Sequence, residues 1–288
     1  MRKNQLPGHV KNVWIAIAEV YLLLLEYYGI RFMLRLVTFV LPSYMRNIHM
    51  VLEMLVLFVY MCRRYASFFG VDPKNSFAAR FFRTKASTRY GHYMILYQLF
   101  ILLSLLLYRI GSEDGSYIST QAIYDEREGI HYDRVLQWFL VSPVLEELVF
   151  RVLVFHVLYN RVPNPRPVWC VLVSAVIFGL SHLENTIGVG MSPSQLRYAI
   201  VQIGIGCVAG TLFGLRFVLA HPSVLESLFL HVLNNAIAVL WLHLDVISLL
   251  SSGDLFVWLA LSNTCLFYGV SIVVSLYECS LVESSKSL

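Results

Sequence analysis

Residues 135–159 read VLQWFLVSPVLEELVFRVLVFHVLY, and this stretch decides the fold class. It is long enough to cross a bilayer, which takes about 20 mostly apolar residues. Glu146, Glu147 and Arg151 interrupt it near its middle. A charged group at the centre of a bilayer costs several kcal/mol, and it usually serves a function or pairs with another charge. The stretch therefore predicts a membrane-spanning helix whose charged residues need a specific explanation.

The composition of the whole chain agrees with a membrane protein. Of its 288 residues, 58% are hydrophobic and only 14% are charged, whereas soluble domains carry about a quarter charged residues. The net charge of +4 comes from clustered basic residues, which suits membrane orientation better than nucleic-acid binding. We therefore expect the lipid bilayer, and no nucleic acid, among the partners of the chain.

Further hydrophobic runs accompany residues 135–159, so the predicted fold is all-α, a polytopic transmembrane bundle of about eight helices. The predicted spans are residues 13–30, 49–62, 90–110, 135–159, 167–183, 196–219, 224–243 and 255–277. Residues 31–48, which include Pro42, are predicted to form an interfacial or re-entrant piece.

Two connecting loops differ in charge. Residues 63–89 hold seven basic side chains against one acidic one, and residues 109–134 hold six acidic side chains against three basic ones. One predicted span separates the two loops, so they lie on opposite sides of the membrane. Because cytoplasmic loops carry the excess of Lys and Arg, we predict that residues 63–89 face the cytosol.

The charged residues of the opening stretch allow two interpretations. Glu147 and Arg151 are four residues apart, so on a helix they share a face and can form an ion pair. Glu146 points about 100° away and is a candidate general base. The alternative is one structural Glu–Arg pair beside a protonated glutamate. Pro143 either begins a helix capped by Ser142 or kinks a longer one.

Two more polar pairs lie at helical spacing inside apolar runs. Phe178 and His182 share a face at the end of the fifth predicted span. Taken alone, His182 is better explained as an interfacial or hydrogen-bonded histidine than as a catalyst. His231 and Asn235 share a face in the seventh span. They either donate to a developing oxyanion or join helices through hydrogen bonds.

Three glycines mark one face of the sixth predicted span, namely Gly206, Gly210 and Gly214. This spacing lets another helix approach closely. Because glycine has no side-chain chemistry, we assign the face to packing.

Together and in this order, the three polar groups resemble the signatures EExxxR, FxxxH and HxxxN of the CPBP (CAAX protease and bacteriocin-processing) family of intramembrane proteases, which includes the CAAX prenyl endopeptidase. The resemblance covers residues 135–240. The string PVLEELVFR at residues 143–151 is similar to the form found in eukaryotic CAAX enzymes.

The resemblance implies a role for each matching residue. Glu146 would activate the attacking water, and His182 would help to hold that water. His231 and Asn235 would stabilise the oxyanion of the tetrahedral intermediate. The residues implied to orient these groups are Glu147, Arg151 and Phe178. Neither a metal nor a cofactor is implied, since the chemistry of the family is metal-independent.

The implied reaction is hydrolysis of the peptide bond after a prenylated cysteine, which releases the C-terminal tripeptide. The implied partners are prenylated C-terminal CAAX peptides or proteins, and the implied location is a multi-pass position in the endoplasmic reticulum membrane if the cell is eukaryotic. We predict N-terminal membrane helices of unassigned function at residues 1–130, the protease core at 131–245, and a last membrane helix with the C-terminal tail at 246–288.

Other interpretations stay open. Leu183, Glu184 and Asn185 follow His182 where eukaryotic CAAX enzymes carry further histidines, so a CPBP protease with a non-prenylated substrate is one alternative. A catalytically inactive membrane scaffold would keep the motifs for packing. A zinc protease would be expected to carry His-Glu-x-x-His, which this sequence lacks. A transporter would use the acidic residues of the first two spans, which are Glu19, Glu26 and Glu53.

Overall fold

The computed structural model describes residues 8–40, 43–64, 89–111, 124–125, 129–162, 165–183, 193–220, 223–241 and 255–285. Eight helices lie in this part of the chain, and the predicted all-α bundle of about eight helices is confirmed. The helices are α1 (Gly8–Val40), α2 (Ser43–Arg64), α3 (Arg89–Gly111), α4 (132–161), α5 (Pro167–Ser181), α6 (Pro193–Leu219), α7 (Val224–Trp241) and α8 (Leu255–Ser285). Two short strands, β1 (Tyr124–Asp125) and β2 (Gly129–Ile130), form an antiparallel ribbon before α4.

Four helices contain stretches that are long and apolar enough to cross a membrane. These stretches are Asn12–Leu34, Tyr90–Tyr108, Ala199–Leu219 and Trp258–Val282. Shorter apolar stretches are Ile48–Met61, Pro167–Ser181 and Val224–Leu240. Large aliphatic side chains on the outer faces of α1, α3 and α8 are exposed, among them Leu25, Leu103 and Leu259. The chain is therefore an integral membrane protein that crosses the bilayer several times.

Residues 31–48 do not form a separate interfacial piece, so that prediction is wrong. Helix α1 continues through Arg31 to Val40, and α2 begins at Ser43. Residues 31–40 contain neither proline nor glycine, so nothing in this sequence ends the helix early. As a consequence, Arg31 is carried on α1 and is buried.

Helix α4 is one continuous helix of changing pitch. It has α-helical turns at Tyr132–Leu136, Ser142–Glu146 and Phe155–Arg161, and π-helical stretches at Gln137–Val141 and Glu147–Val154. Pro143 thus lies inside a longer helix, and the interpretation that a new helix begins there is wrong. π-Helical turns are rare and occur frequently at functional sites.

The central position of α4 comes from its packing. Every residue from Glu147 to Val154 is buried, because α1, α2, α5, α6 and α7 all contact this helix. One buried apolar cluster joins α1, α2, α4 and α5 and includes Leu23, Leu57 and Phe150. A second joins α3, α6, α7 and α8 and includes Phe213. Phe217 of α6 and Val224 of α7 also belong to the first cluster, so these two helices connect the clusters.

Several charges outside the centre of α4 are paired across helices. Glu19 on α1 lies 2.8 Å from Arg161 at the end of α4, and Glu26 lies 3.4 Å from Arg64 on α2. Two of the acidic residues that suggested a transporter therefore act as interhelical ion pairs.

A buried arginine joins three helices, α6, α7 and α8. Arg216 on α6 is fully buried and donates to the carboxylates of Glu226 on α7 and Glu278 on α8. The Ser275 hydroxyl on α8 lies 3.3 Å from the same guanidinium. A buried cation with two carboxylate partners and a hydroxyl satisfies the requirement that buried charge be paired.

The glycine face of α6 packs closely against α5, as predicted. A Cβ atom at Gly210 would lie 2.9 Å from Cδ1 of Phe178, and one at Gly214 would lie 2.7 Å from Cγ1 of Val171. A Cβ at Gly206 would lie 3.1 Å from a Cα of α5. The glycines therefore let α5 sit close enough to α6 to hold Phe178 in the interior.

The substitution Gly210→Ala is expected to destabilise the protein by about 1–3 kcal/mol, because overpacking forces neighbouring side chains and backbone to move. Gly204→Ala on the same helix is the matched control, since a Cβ there meets nothing within 4 Å, and it is expected to be neutral or to stabilise by up to about 1 kcal/mol. Thermal denaturation in detergent micelles measures both. Equal melting temperatures for the two variants would contradict the close approach.

Candidate active site

The two adjacent glutamates of α4 occupy different environments. The Glu147 side chain is fully buried, at 0% exposure, whereas that of Glu146 is 19% exposed. Successive residues on a helix point in directions about 100° apart. Glu146 is therefore the carboxylate that solvent or a substrate can reach.

His231 on α7 lies between these two carboxylates. Its Nδ1 is 2.8 Å from Oε1 of Glu147, and its Nε2 is 3.3 Å from Oε2 of Glu146. The ring is buried and stacks on Phe213 of α6, with ring centroids 5.0 Å apart. A buried histidine with both nitrogens engaged and one face covered has its ring orientation fixed.

Arg151 completes the buried charges of α4. Its Nε lies 3.5 Å from Oε2 of Glu147, so the predicted ion pair is present. The guanidinium also lies over the rings of Phe178, at 4.5 Å, and Phe213, at 5.7 Å. Glu147 is closer to His231 than to Arg151. The buried carboxylate thus links the arginine to the histidine, which the spacing along α4 alone did not indicate.

His182 lies at the end of α5, and one of its ring nitrogens forms a hydrogen bond within that helix. Its Nδ1 is 3.0 Å from the carbonyl oxygen of Phe178. A carbonyl only accepts, so Nδ1 carries the proton, and Nε2 of the neutral ring is an acceptor. The Phe178 ring meets His182 and His231 edge to face, with centroids 5.0 and 5.7 Å apart. Phe178 therefore packs between the two histidines.

Asn235 contacts α4 rather than another side chain of the site. Its Nδ2 donates to the backbone carbonyl of Trp138 at 2.9 Å. Asn235 thus joins α7 to α4 through a hydrogen bond, as one of its two interpretations expected. The second N–H of the same amide can donate to another acceptor. One residue along, Asn234 donates to Oδ1 of Asn235 at 3.4 Å.

The structure also brings in residues that the sequence reasoning missed. Arg31 is a buried cation on α1, a helix that contacts the Glu147–Val154 part of α4. Phe213 covers His231. The sequence does not indicate this role, because Phe213 is one of several aromatic residues in apolar helices. Arg31 did offer a signal, because it is a charge that directly follows a predicted span.

This arrangement joins an accessible carboxylate, an acceptor histidine on α5, and donors on α7 around one region of α4. These parts suit general-base activation of a water and stabilisation of an oxyanion.

Residues 133–237 match a family model, type II CAAX prenyl endopeptidase Rce1-like. The matched segment is about a third of the chain, and the predicted resemblance to the CPBP family is confirmed over it. Searches of curated proteins and of solved structures gave no significant match.

The Rce1-like segment begins at the start of α4 and ends within α7, so it holds all seven residues predicted for the site. They are Glu146, Glu147, Arg151, Phe178, His182, His231 and Asn235. Helices α1, α2, α3 and α8 lie outside the segment. The match supports a membrane endopeptidase of the CAAX-protease family as the functional class.

Some predictions fall outside the described residues. Glu184 and Asn185 do so, as do most of the basic loop at 63–89 and, in the acidic loop at 109–134, residues 112–123 and 126–128. The membrane orientation and the domain boundaries therefore stay predictions, as do the individual roles of the site residues in the Rce1-like segment.

Proposed function

We propose that the chain is an intramembrane endopeptidase that hydrolyses the peptide bond after a prenylated cysteine and releases the C-terminal tripeptide. The observation that carries the proposal is the placement of Glu146. Its carboxylate is accessible, lies 3.3 Å from Nε2 of His231 and sits on a central membrane helix. The Rce1-like match of residues 133–237 supports the substrate class.

In the proposed first step, Glu146 accepts a proton from a water molecule while Nε2 of His182 accepts a hydrogen bond from the same water. The hydroxide oxygen attacks the scissile carbonyl carbon, and the carbonyl oxygen gains the negative charge. The base is on α4 and the histidine on α5, and these two helices are in direct contact.

The oxyanion is held by donors of α7. The imidazolium form of His231 donates from Nδ1 to Glu147. Its Nε2–H faces Glu146 in the free site, and it becomes available to the oxyanion once Glu146 has accepted the proton of the water. Asn235 offers its second amide N–H, because the first donates to Trp138. Oriented donors in a site that excludes water are worth far more than in bulk solvent.

Collapse of the intermediate breaks the C–N bond. Glu146 returns its proton to the leaving nitrogen, so the tripeptide departs with a free amino group and the cysteine keeps a new carboxyl group. The carboxylate thus ends the cycle in its starting state. In this scheme the buried pair of Glu147 and Arg151 exchanges no proton and serves to orient His231.

A membrane site suits this substrate. The isoprenyl chain prefers lipid, since each buried CH₂ contributes about 0.8 kcal/mol, while the peptide bond needs water. The proposed partners are prenylated CAAX peptides or proteins, and the proposed location is the endoplasmic reticulum membrane.

The test is cleavage of a farnesylated CAAX peptide by the purified protein in detergent, with the same peptide lacking the farnesyl group as control. We expect release of the tripeptide from the farnesylated peptide only. Cleavage of both peptides at equal rates would favour the alternative of a CPBP protease with a non-prenylated substrate. Cleavage of neither peptide by a folded protein would favour the inactive scaffold.

The same assay after exhaustive chelation tests for a metal. We expect unchanged activity. Both ring nitrogens of His231 face carboxylate oxygens and Glu147 pairs with Arg151, so these side chains are already engaged with one another and not arranged as metal ligands. Activity that is lost on chelation and restored by zinc would replace the proposed mechanism with a metal-assisted one.

A further inference from the structure

A chain of hydrogen bonds runs from α8 through α7 to the catalytic part of α4. The Tyr268 hydroxyl donates to Oδ1 of Asn234 at 2.5 Å. Nδ2 of Asn234 donates to Oδ1 of Asn235 at 3.4 Å. Nδ2 of Asn235 donates to the carbonyl of Trp138 at 2.9 Å. Each link joins one donor to one acceptor, so the chain has a single direction.

The last link satisfies a carbonyl that α4 itself leaves without a donor. In the π-helical stretch the N–H of Ser142 donates to Gln137, five residues back. The next N–H in this register would come from Pro143 and would reach Trp138, but proline has no N–H. Trp138 is partly buried, and a carbonyl that lacks both water and a protein donor is costly. Asn235 supplies the missing donor.

The first and last links together fix how the two amides are oriented. An asparagine amide has an oxygen that accepts at one end and a nitrogen that donates at the other. Because Tyr268 donates to Asn234, the oxygen of Asn234 faces α8 and its nitrogen faces Asn235. The oxygen of Asn235 is then occupied, and its nitrogen faces Trp138 and the site.

The position of Tyr268 is fixed by burial and by a contact with Gln98 of α3. It is buried, at 8% exposure, and the fully buried Gln98 of α3 offers Nε2 to its hydroxyl at 3.5 Å. Its ring packs edge to face on Phe267. Both Tyr268 and Gln98 lie outside residues 133–237, so α3 and α8 contribute to a site whose motifs lie elsewhere.

We propose that Tyr268 is a positioning residue of the active site, which orients the Asn235 amide through Asn234 so that its free N–H points at the oxyanion. This inference rests on the proposed function of Asn235. It gives the helices outside the Rce1-like segment a defined part in the reaction.

The kinetic test compares Tyr268→Phe with Tyr97→Phe in the full-length protein, using the farnesylated CAAX peptide. Tyr97 is a matched control, since its hydroxyl donates to Asn263 of α8 and not to an amide of the chain from Tyr268 to Trp138. We expect Tyr268→Phe to lower kcat about fivefold, the loss of one neutral hydrogen bond, with little change in KM. Tyr97→Phe is expected to leave kcat unchanged.

A double-mutant cycle separates positioning from general destabilisation. In an Asn234→Ala background the hydroxyl of Tyr268 has no acceptor to orient, so Tyr268→Phe should have no further effect on kcat. Independent structural effects would instead add. Additive losses, or equal kcat for Tyr268→Phe and Tyr97→Phe, would overturn the proposal.

A readout independent of activity uses the side-chain amide of Asn235. Its NMR signals, in protein labelled with ¹⁵N-asparagine, are assigned by their loss in Asn235→Asp. We expect them to shift in Tyr268→Phe and to stay in place in Tyr97→Phe. If the wild type cleaves no peptide, the proposed function fails, yet these signals still decide whether Tyr268 orients Asn235. Unshifted signals would refute the hydrogen-bond chain itself.

Discussion

Replacing Glu146 with glutamine is expected to lower peptide hydrolysis by about 10²- to 10⁴-fold, the usual contribution of a general base. Glutamine keeps the shape of the side chain and its contact with His231, but it cannot accept the proton of the attacking water. Because His231 keeps Glu147 as its other carboxylate partner, the neutral amide leaves no buried charge unpaired. The measurement is tripeptide release by the variant, together with its melting temperature in detergent.

Glu19→Gln is the control for that experiment. Glu19 is also a carboxylate on a membrane helix, but it pairs with Arg161 near the other end of α4. Its rate is expected to stay within about twofold of the wild type, as for most substitutions on an exposed face. A folded Glu146→Gln protein that still cleaves at the rate of Glu19→Gln would exclude Glu146 as the base. It would favour the interpretation that the motif has a structural role only.

The substitution Arg151→Met is expected to destabilise the protein by about 3–5 kcal/mol, the cost of removing one partner of a buried ion pair. The guanidinium is 1% exposed and Glu147 is 0% exposed, so the remaining carboxylate cannot reach water and keeps only His231 as a partner. The loss also removes the cation over Phe178. Chemical or thermal unfolding in detergent micelles measures the change.

Arg161→Met is the matched control, because Arg161 also pairs with a glutamate but is 48% exposed. Exposed pairs contribute about 0–1 kcal/mol. The double substitution Arg151→Met with Glu147→Leu removes both buried charges and is expected to recover part of the lost stability, although His231 then lacks its Nδ1 acceptor. If Arg151→Met and Arg161→Met lowered the free energy of unfolding equally, the buried pair would contribute no more to stability than the exposed one.

The sequence alone predicted those contacts that depend on local periodicity. The pair of Glu147 and Arg151 follows from a spacing of four residues, and the close approach of α5 to α6 follows from the glycine face. Both predictions are correct because each depends only on residues that lie on one face of one helix.

Contacts that need two helices in register could not be predicted in this way. His231 proved to contact both glutamates, and Asn235 to contact the carbonyl of Trp138. That carbonyl lacks a donor only because α4 widens to a π-helix before Pro143, a change of pitch that apolar periodicity does not reveal. Tyr268 lies 33 residues beyond Asn235, so only the folded bundle brings α8 to this point.

The length of α5 has a consequence for the lipid around the protein. Its 15 residues rise only about 22 Å, whereas the hydrocarbon core of a bilayer is about 30 Å thick. A bilayer meets such a hydrophobic mismatch by thinning beside the short helix. Headgroups and bulk water then come down toward the helix end that carries His182. Local thinning of the lipid would thus shorten the route by which water enters the proposed reaction, whose proposed substrate arrives from the acyl chains.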